Sequence, residues 1–204
     1  MKIGIISGSH RPGSQSRKVA NFMASRMKKM SPAVKPWILD LSESHFPLWD
    51  EGVWNGEEKW KKVWGPVAQE LSSCDGFVVI SPEWSGMVTP ALKNFFLLAS
   101  SKEIGHKPGL ITTVSSGMGG AYPNCELRIS SYKNTRICYL PEHLVIRNVE
   151  KLLNEAHDTD ISPDDQYIRA RIDHGLNLLA EYAKALKSVR DSGCIDYKAY
   201  PNGM

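Results

Sequence analysis

Three short segments carry the residue types from which a ligand site could be built. The first is Gly8-Ser9-His10-Arg11-Pro12-Gly13-Ser14-Gln15-Ser16. If it joins a strand to a helix N-terminus, its glycines and hydroxyl side chains gather several N–H and O–H donors around one anion. Arg11 adds a delocalised charge suited to phosphate. Gly8 and Gly13 have the separation of a P-loop, but Ser14 stands where that motif places Lys, so a nucleoside triphosphate is disfavoured. The plain alternative is a loop with Ser14 or Ser16 as helix N-cap.

The second segment runs Ser81-Pro82-Glu83-Trp84-Ser85-Gly86-Met87 and on through Pro90 to Leu92-Lys93-Asn94. An aromatic residue and a glycine directly after a buried strand would let a flat ligand approach the backbone closely. The bland reading is partial burial for Trp84 and a solvated helix position for Lys93. The third segment, Ser115-Ser116-Gly117-Met118-Gly119-Gly120-Ala121, has three glycines in four residues. Its amides could meet the carbonyl and nitrogen edge of a heterocycle, or it is a tight turn. It is not GxGxxG, because Tyr122 occupies the final glycine position, so a Rossmann dinucleotide site is not supported.

Other chemistry is poorly represented. There is no GxSxG elbow and no HExxH, and the six histidines are scattered. No metal site is expected. Cys74, Cys125, Cys138 and Cys194 show no CxxC and no metal-like spacing with histidine. They read as reduced thiols of a cytoplasmic protein.

The elements around these segments set them on one edge. Short apolar strands alternate with amphipathic helices, the signature of a parallel sheet covered on both faces. Residues 2–7, 76–81 and 109–115 read as strands. Residues 34–41 form another, placed at an edge by Pro36; a fifth lies within 136–146, toward its end. Helices are expected over 16–30, 57–73 (interrupted near Gly65–Pro66), 90–101, 121–134 and 164–189. Residues 42–56 form a long connection. The expected organisation is one domain over 1–190 with a tail from 191. The three segments follow the carboxyl ends of strands one, three and four, where open α/β sheets bind ligands.

Composition excludes several classes. Apolar content of 42% and charged content of 23% suit a globular protein. A net charge of +3 with no basic run beyond Lys28–Lys29 or Lys61–Lys62 argues against nucleic acid. No apolar run reaches the roughly 18–20 residues that span a bilayer, and the N-terminus is too quickly polar for a secretory signal.

In order and spacing, the three segments resemble those of the NADPH-dependent FMN reductases, a flavodoxin-like group that includes quinone, azo-dye and chromate reductases. The first resembles the family's GSxRxxS loop at Gly8, Ser9, Arg11 and Ser14. The second resembles its PEYN and LKN elements at Pro82–Gly86 and Leu92–Asn94, and the third its glycine-rich loop. The resemblance covers roughly the first 150 residues. It implies a three-layer sandwich around a five-stranded parallel sheet of order 2-1-3-4-5. It also implies bound FMN, NADPH or NADH as electron donor, and a small acceptor such as a quinone, azo compound, metal ion or free flavin.

By position, Ser9, Arg11, Ser14 and Ser16, with Gln15 among them, would hold the FMN phosphate. Pro82, Glu83, Trp84, Ser85 and Gly86 would border the isoalloxazine and ribityl chain, and Ser115, Ser116, Gly117, Gly119 and Gly120 would face the far edge of the ring. The flavin carries the chemistry, so no catalytic side chain is implied. This chain departs from the family in having Ser16 for Asn, Trp84 for Tyr, Ser85 for Asn and its proline one place later, at Pro90. Family members form dimers or tetramers, which makes Trp49, Trp54 and Leu140–His143 candidate contacts. A flavodoxin-type electron carrier and a non-catalytic flavin-binding regulator are the competing readings; the carrier fits poorly with a pI near 8.6.

Overall fold

A computed structural model describes residues 1–203. Five parallel strands stand in the order β2-β1-β3-β4-β5, as expected: β1 (Lys2–Ser7), β2 (Lys35–Asp40), β3 (Gly76–Pro82), β4 (Pro108–Val114) and β5 (Cys138–Ile146). The central strands β3 and β4 are buried along their whole length, which explains their nearly continuous apolar runs. Edge strand β2 pairs only with β1, and Pro36 sits opposite Ile3 there, where a missing N–H is tolerated.

Helices α1 (Gln15–Met30), α2 (Gly52–Asn55), α3 (Glu58–Ser72), α4 (Pro90–Leu98), α5 (Ser101–Ile104), α6 (Ala121–Ser130) and α7 (Pro163–Asp191) complete the chain. Two apolar cores result. On one face Val19, Met23 and Met27 of α1 and Ile172, Leu176 and Leu179 of α7 cover Ile5, Val78 and Leu110. On the other, Trp60, Trp64 and Leu71 of α3 and Leu92 and Phe95 of α4 cover Phe77, Val79 and Ile111.

Several element ends differ from the sequence reading. α3 runs unbroken through Pro66. Gly65 carries no Cβ to clash with the proline ring, and the deprived carbonyl belongs to exposed Lys62. The helix expected over 90–101 stops at Leu98, because Ser100 and Glu103 form a capping box that starts α5 afresh. α6 ends at Ser130; the hydroxyls of Ser131 and Thr135 donate to the carbonyls of Leu127 and Ser131 and close it early. The connection over 42–56 contains the turn α2.

α7 begins one residue early, with Ser162 accepting from the Asp165 amide and Pro163 in the first turn. Residues 192–203 lack regular structure yet lie against the sheet's amino edge. There Arg136 donates to the carbonyls of Tyr200 and Asn202 and stacks on Tyr197. Among the described residues no helix is long and apolar enough to cross a membrane.

Candidate functional site

Each strand pairs parallel to its neighbour, so the strand-exit turns meet at one edge. The first turn is drawn in tightly. Gly8 donates its amide to the Ile80 carbonyl at 2.9 Å, and a Cβ on Gly8 would sit 2.5 Å from that oxygen and 2.8 Å from Leu92. The Thr89 hydroxyl donates to the Gly8 carbonyl. Only glycine fits there.

Beyond Gly8 the chain turns into α1. The buried Ser9 hydroxyl accepts from the Arg11 amide at 3.2 Å, and Ser14 caps the helix by accepting from the Arg17 amide at 3.1 Å. A hydroxyl that accepts one bond can still donate its own proton. The Gln15 and Ser16 amides belong to the first turn and have no intrahelical partner. Beside them Ser16 is 1% exposed, and its Oγ and the Gln15 Oε1 are buried without a partner. An unpaired buried polar atom costs about 1–3 kcal/mol, which a ligand with matching groups would recover. The donor set is what an anionic ester requires.

The neighbouring cations are committed elsewhere. Arg17 pairs with Asp40 at 2.8 Å and Glu43 at 3.4 Å. The Lys18 ammonium donates to the carbonyls of Val149 and Leu152 and to Asn154 Oδ1, at 2.7–2.8 Å. Burial pushes its pKa below the ordinary lysine value. Among the described residues Arg11 is the one cation lining the cleft.

At the second turn, Glu83 donates its amide to the Val114 carbonyl at 2.9 Å, and Trp84 and Met87 exchange both backbone hydrogen bonds. Ser85 and Gly86 form the tip, with φ of 51° and 73°. Two successive positive φ values make a type I′ hairpin turn, which favours Asn and Gly. The family's asparagine at position 85 therefore has a backbone reason. Trp84 meets His10 edge-on at 4.7 Å, joining the first turn to the second. Lys93 pairs with Glu126 at 2.6 Å; Asn94 accepts from the Trp49 amide and donates to the Pro47 carbonyl, both at 2.8 Å. These two residues anchor α4 and the loop after β2 rather than lining the cleft.

The third turn is strapped to the second, since the Glu83 carboxylate accepts from the Gly120 amide at 2.6 Å. Gly120 has φ of 114°, and a Cβ there would lie 2.6 Å from Val145 Cγ1, so no other residue fits. The same turn is fastened to the segment after β5. Val149 donates to the Ser115 carbonyl at 3.1 Å, Asn148 to that of Gly117 at 2.9 Å, and Arg147 to that of Met118 at 2.7 Å.

A cleft of about 220 Å³ opens between these turns. Ser9, Arg11, Ser14, Gln15, Ser16, Pro82, Glu83, Trp84, Ser115 and Ser116 line it. Of the other expected residues, Ser85 and Gly86 sit at the hairpin tip, and Gly117, Gly119 and Gly120 shape the third turn without lining the cleft. Sequence reading passed over His10, Val149 and Glu150. The last two follow the fifth strand, so the rule that brought the other turns together also places them here. Leu140 is fully buried in the core and cannot be a partner contact as expected; Trp54 is 76% exposed.

Residues 1–151 match the family described as NADPH-dependent FMN reductase. The chain is 29% identical over 123 residues to an NADPH azoreductase of Bacillus sp. (strain OY1-2), covering 59% of this chain and 62% of the relative, less than two thirds of its length. It is 30% identical over 155 residues to a quinone reductase of Escherichia coli (strain K12), covering 72% of this chain and 80% of the relative. The flavoenzyme NAD(P)H:(acceptor) oxidoreductase FerB of Paracoccus denitrificans superposes with a TM-score of 0.64 at 14% identity, covering 90% of this chain and 97% of the other. An oxidoreductase from Corynebacterium diphtheriae gives a TM-score of 0.64 at 15% identity, with the same coverage. These two structures bear on the fold alone. The match over the first 151 residues, which takes in all the strands and the whole cleft, makes the chain a member of the NADPH-dependent FMN reductase family.

Proposed function

We propose that the cleft holds FMN with its phosphate at the start of α1, and that the chain passes electrons from NAD(P)H to a small acceptor. The observation that carries this reading is the buried, unpartnered Ser16 Oγ beside the free amides of the same turn and next to Arg11. FMN, when bound, supplies the two-electron chemistry that no side chain here offers.

Each residue then has a defined task. The amides of Gln15 and Ser16 and the hydroxyls of Ser9, Ser14 and Ser16 surround the phosphate. Arg11 adds charge; a hydrogen bond to a charged group contributes roughly 1.5–3 kcal/mol, against about 0.3–1 kcal/mol from the helix terminus. The directed contacts therefore outweigh the dipole. Glu83 holds the second and third turns together, and so fixes the gap that Trp84, Ser115 and Ser116 border. Trp84 presents an aromatic face braced by His10.

The quinone and azo compound of the relatives' names are the acceptor classes to try first. Exposed Trp54 and Leu48, together with half-buried Trp49, support a homodimer or homotetramer in which a partner covers them. Size-exclusion chromatography with light scattering tests that assembly, and a strict monomer would remove it. The functional reading is tested by the absorption spectrum of purified protein with FMN, before and after anaerobic NADPH. A flavin band that bleaches, and returns on adding quinone or azo dye, is expected. A flavin band that NADPH leaves unchanged would refute the enzymatic reading.

A further inference from the structure

The turns around the cleft are tied to one another in a series. Thr89 and the His10–Trp84 contact join the first turn to the second, and Glu83 joins the second to the third. The Val149 amide joins the third turn to the segment after β5. One join remains, from that segment back to the first turn. Among the described residues, Lys18 makes the one hydrogen-bonded link between residues 8–18 and residues 146–156. Its ammonium has three protons and meets three oxygens at 2.7–2.8 Å, the carbonyls of Val149 and Leu152 and Asn154 Oδ1. Lys18 stands one turn after the Ser14 cap, its amide donating to the Ser14 carbonyl, so what it grips is held against the start of α1.

The seat for this ammonium has a strained backbone. Asn148 and Leu153, which bracket it, have φ of 47° and 59°. Leucine is uncommon in that left-handed region, and such residues persist where their surroundings over-determine them. Leu153 is held from behind, its amide donating to the Asp165 carboxylate of α7 at 2.9 Å. Lys18 holds the front. Val149, Leu152 and Leu153 are buried in the core, but apolar burial is non-directional and sets no distance to the first turn.

We propose that Lys18 is a positioning residue for flavin binding, which closes the ring of turns by holding Val149, and through it Ser115, at a fixed distance from the first-turn donors of α1. The inference rests on the flavin reading of the cleft. Lys18 does not line the cleft, and the Asp165 and Glu150 carboxylates act on its ammonium, so its charge is balanced locally. It works through geometry and not as a charge on the ligand. Without the link, the segment after β5 and the third turn it braces shift against the first turn, and the contacts at the two ends of a flavin are no longer made together. The loss falls on the whole flavin rather than on its phosphate.

Fluorescence titration of FMN and of riboflavin, which lacks the phosphate, compares wild type with Lys18→Met. Both flavins are expected to bind the variant roughly three- to ten-fold more weakly, by a similar factor and at low and high salt alike. In the flavin-free variant, amide hydrogen exchange should quicken at Asn148 and Val149, whose N–H groups reach the third turn, while the amides of β3 keep their protection. Lys107→Met is the control for stability alone, since it removes a buried lysine from three carbonyls at the opposite edge; it is expected to leave both affinities unchanged. Should Lys18→Met fold poorly, Asn154→Ala removes one of the three oxygens and no charge, and is expected to weaken both flavins about two-fold. A loss confined to FMN, and abolished in about 0.5 M NaCl, would overturn the proposal, because Lys18 would then act as a charge on the phosphate. Unchanged affinity for both flavins, or an equal loss in Lys107→Met, would also overturn it and leave the flavin site standing. If wild type bound neither flavin, the cleft reading and this inference would fall together.

Discussion

The two edges of the sheet are made of similar residues but finished differently. At the amino edge the chain satisfies its own polar groups. The Lys107 ammonium, 6% exposed, donates to the carbonyls of Leu71, Ser72 and Glu103 at 2.7–3.0 Å, closing the ends of α3 and α5. Arg190 donates to the His106 carbonyl at 2.9 Å, Arg136 holds the C-terminal segment, and Asp75 accepts from the Lys2 amide at 2.8 Å. His106 Nε2 is the exception, a buried atom with no partner. At the carboxyl edge the Ser16 hydroxyl is left over, first-turn amides of α1 are free, and Arg11 lines the cleft while Arg17 and Lys18 are engaged elsewhere. One edge is closed by the protein and the other leaves donors for something else. On the proposed reading, that difference separates a structural end from a binding end.

Breaking the carboxyl edge outright should have the largest effect. Gly8→Val drives a side chain into the Ile80 carbonyl, which cannot move without shifting β3. A loss of about 3 kcal/mol or more is expected, read as a lower urea midpoint, together with loss of flavin binding. A variant as stable as wild type would show that this turn is looser than described.

The amino edge should respond in stability alone. Lys107→Met takes one donor from three carbonyls, of which that of Leu71 keeps the Cys74 amide, and about 1–3 kcal/mol should be lost with FMN affinity unchanged. This site also has a pH signature. Burial pushes Lys107 down to about 8, below the 10.5 of an ordinary lysine. Between those values the unfolded chain holds more protons than the folded one, so the contribution of this group to stability rises with pH across that window. Cys74, pushed up to about 11 by burial, contributes the opposite slope, so the test is the difference: the change in stability from pH 8 to pH 10 should be more positive in wild type than in Lys107→Met.

Arg11→Ala sharpens the contrast from the other side. FMN affinity should fall on the order of ten-fold, about 1.4 kcal/mol, while the melting temperature of the flavin-free protein stays unchanged. The smallest effect is the most diagnostic. Ser16→Ala removes a buried hydroxyl that the free protein leaves unpaired, so the flavin-free protein should melt at the same temperature or slightly higher. FMN binding should weaken by roughly two- to ten-fold. Opposite signs in the two measurements separate a ligand contact from a packing residue.

The strand order and the edge on which the turns meet were legible because strand burial, Pro36 and the alternation of elements are local signals with global consequences. Part of the first turn was legible too, since the close approach at Gly8 and the helix N-cap at Ser14 each show in residue type. Pro66 misled because a proline in a helix is judged by its neighbours, and Gly65 beside an exposed carbonyl removes its usual penalty. The roles of Glu83 and Lys18 were out of reach, because each depends on a partner brought close only by the fold: Gly120 for one, Val149 and Leu152 for the other. Leu140 shows the same limit in reverse, an apolar residue whose burial is decided by the layer packed over it.

The proposed flavin site lies at the carboxyl edge and not at the amino edge. Backbone amide NMR shifts recorded during an FMN titration test it directly. The largest changes are expected at Ser9, Arg11, Ser14 through Ser16, Trp84 and Ser115 through Gly117, with Lys107, Arg136 and Tyr197 unmoved. Shifts centred on the second group, or none at saturating FMN, would contradict that placement.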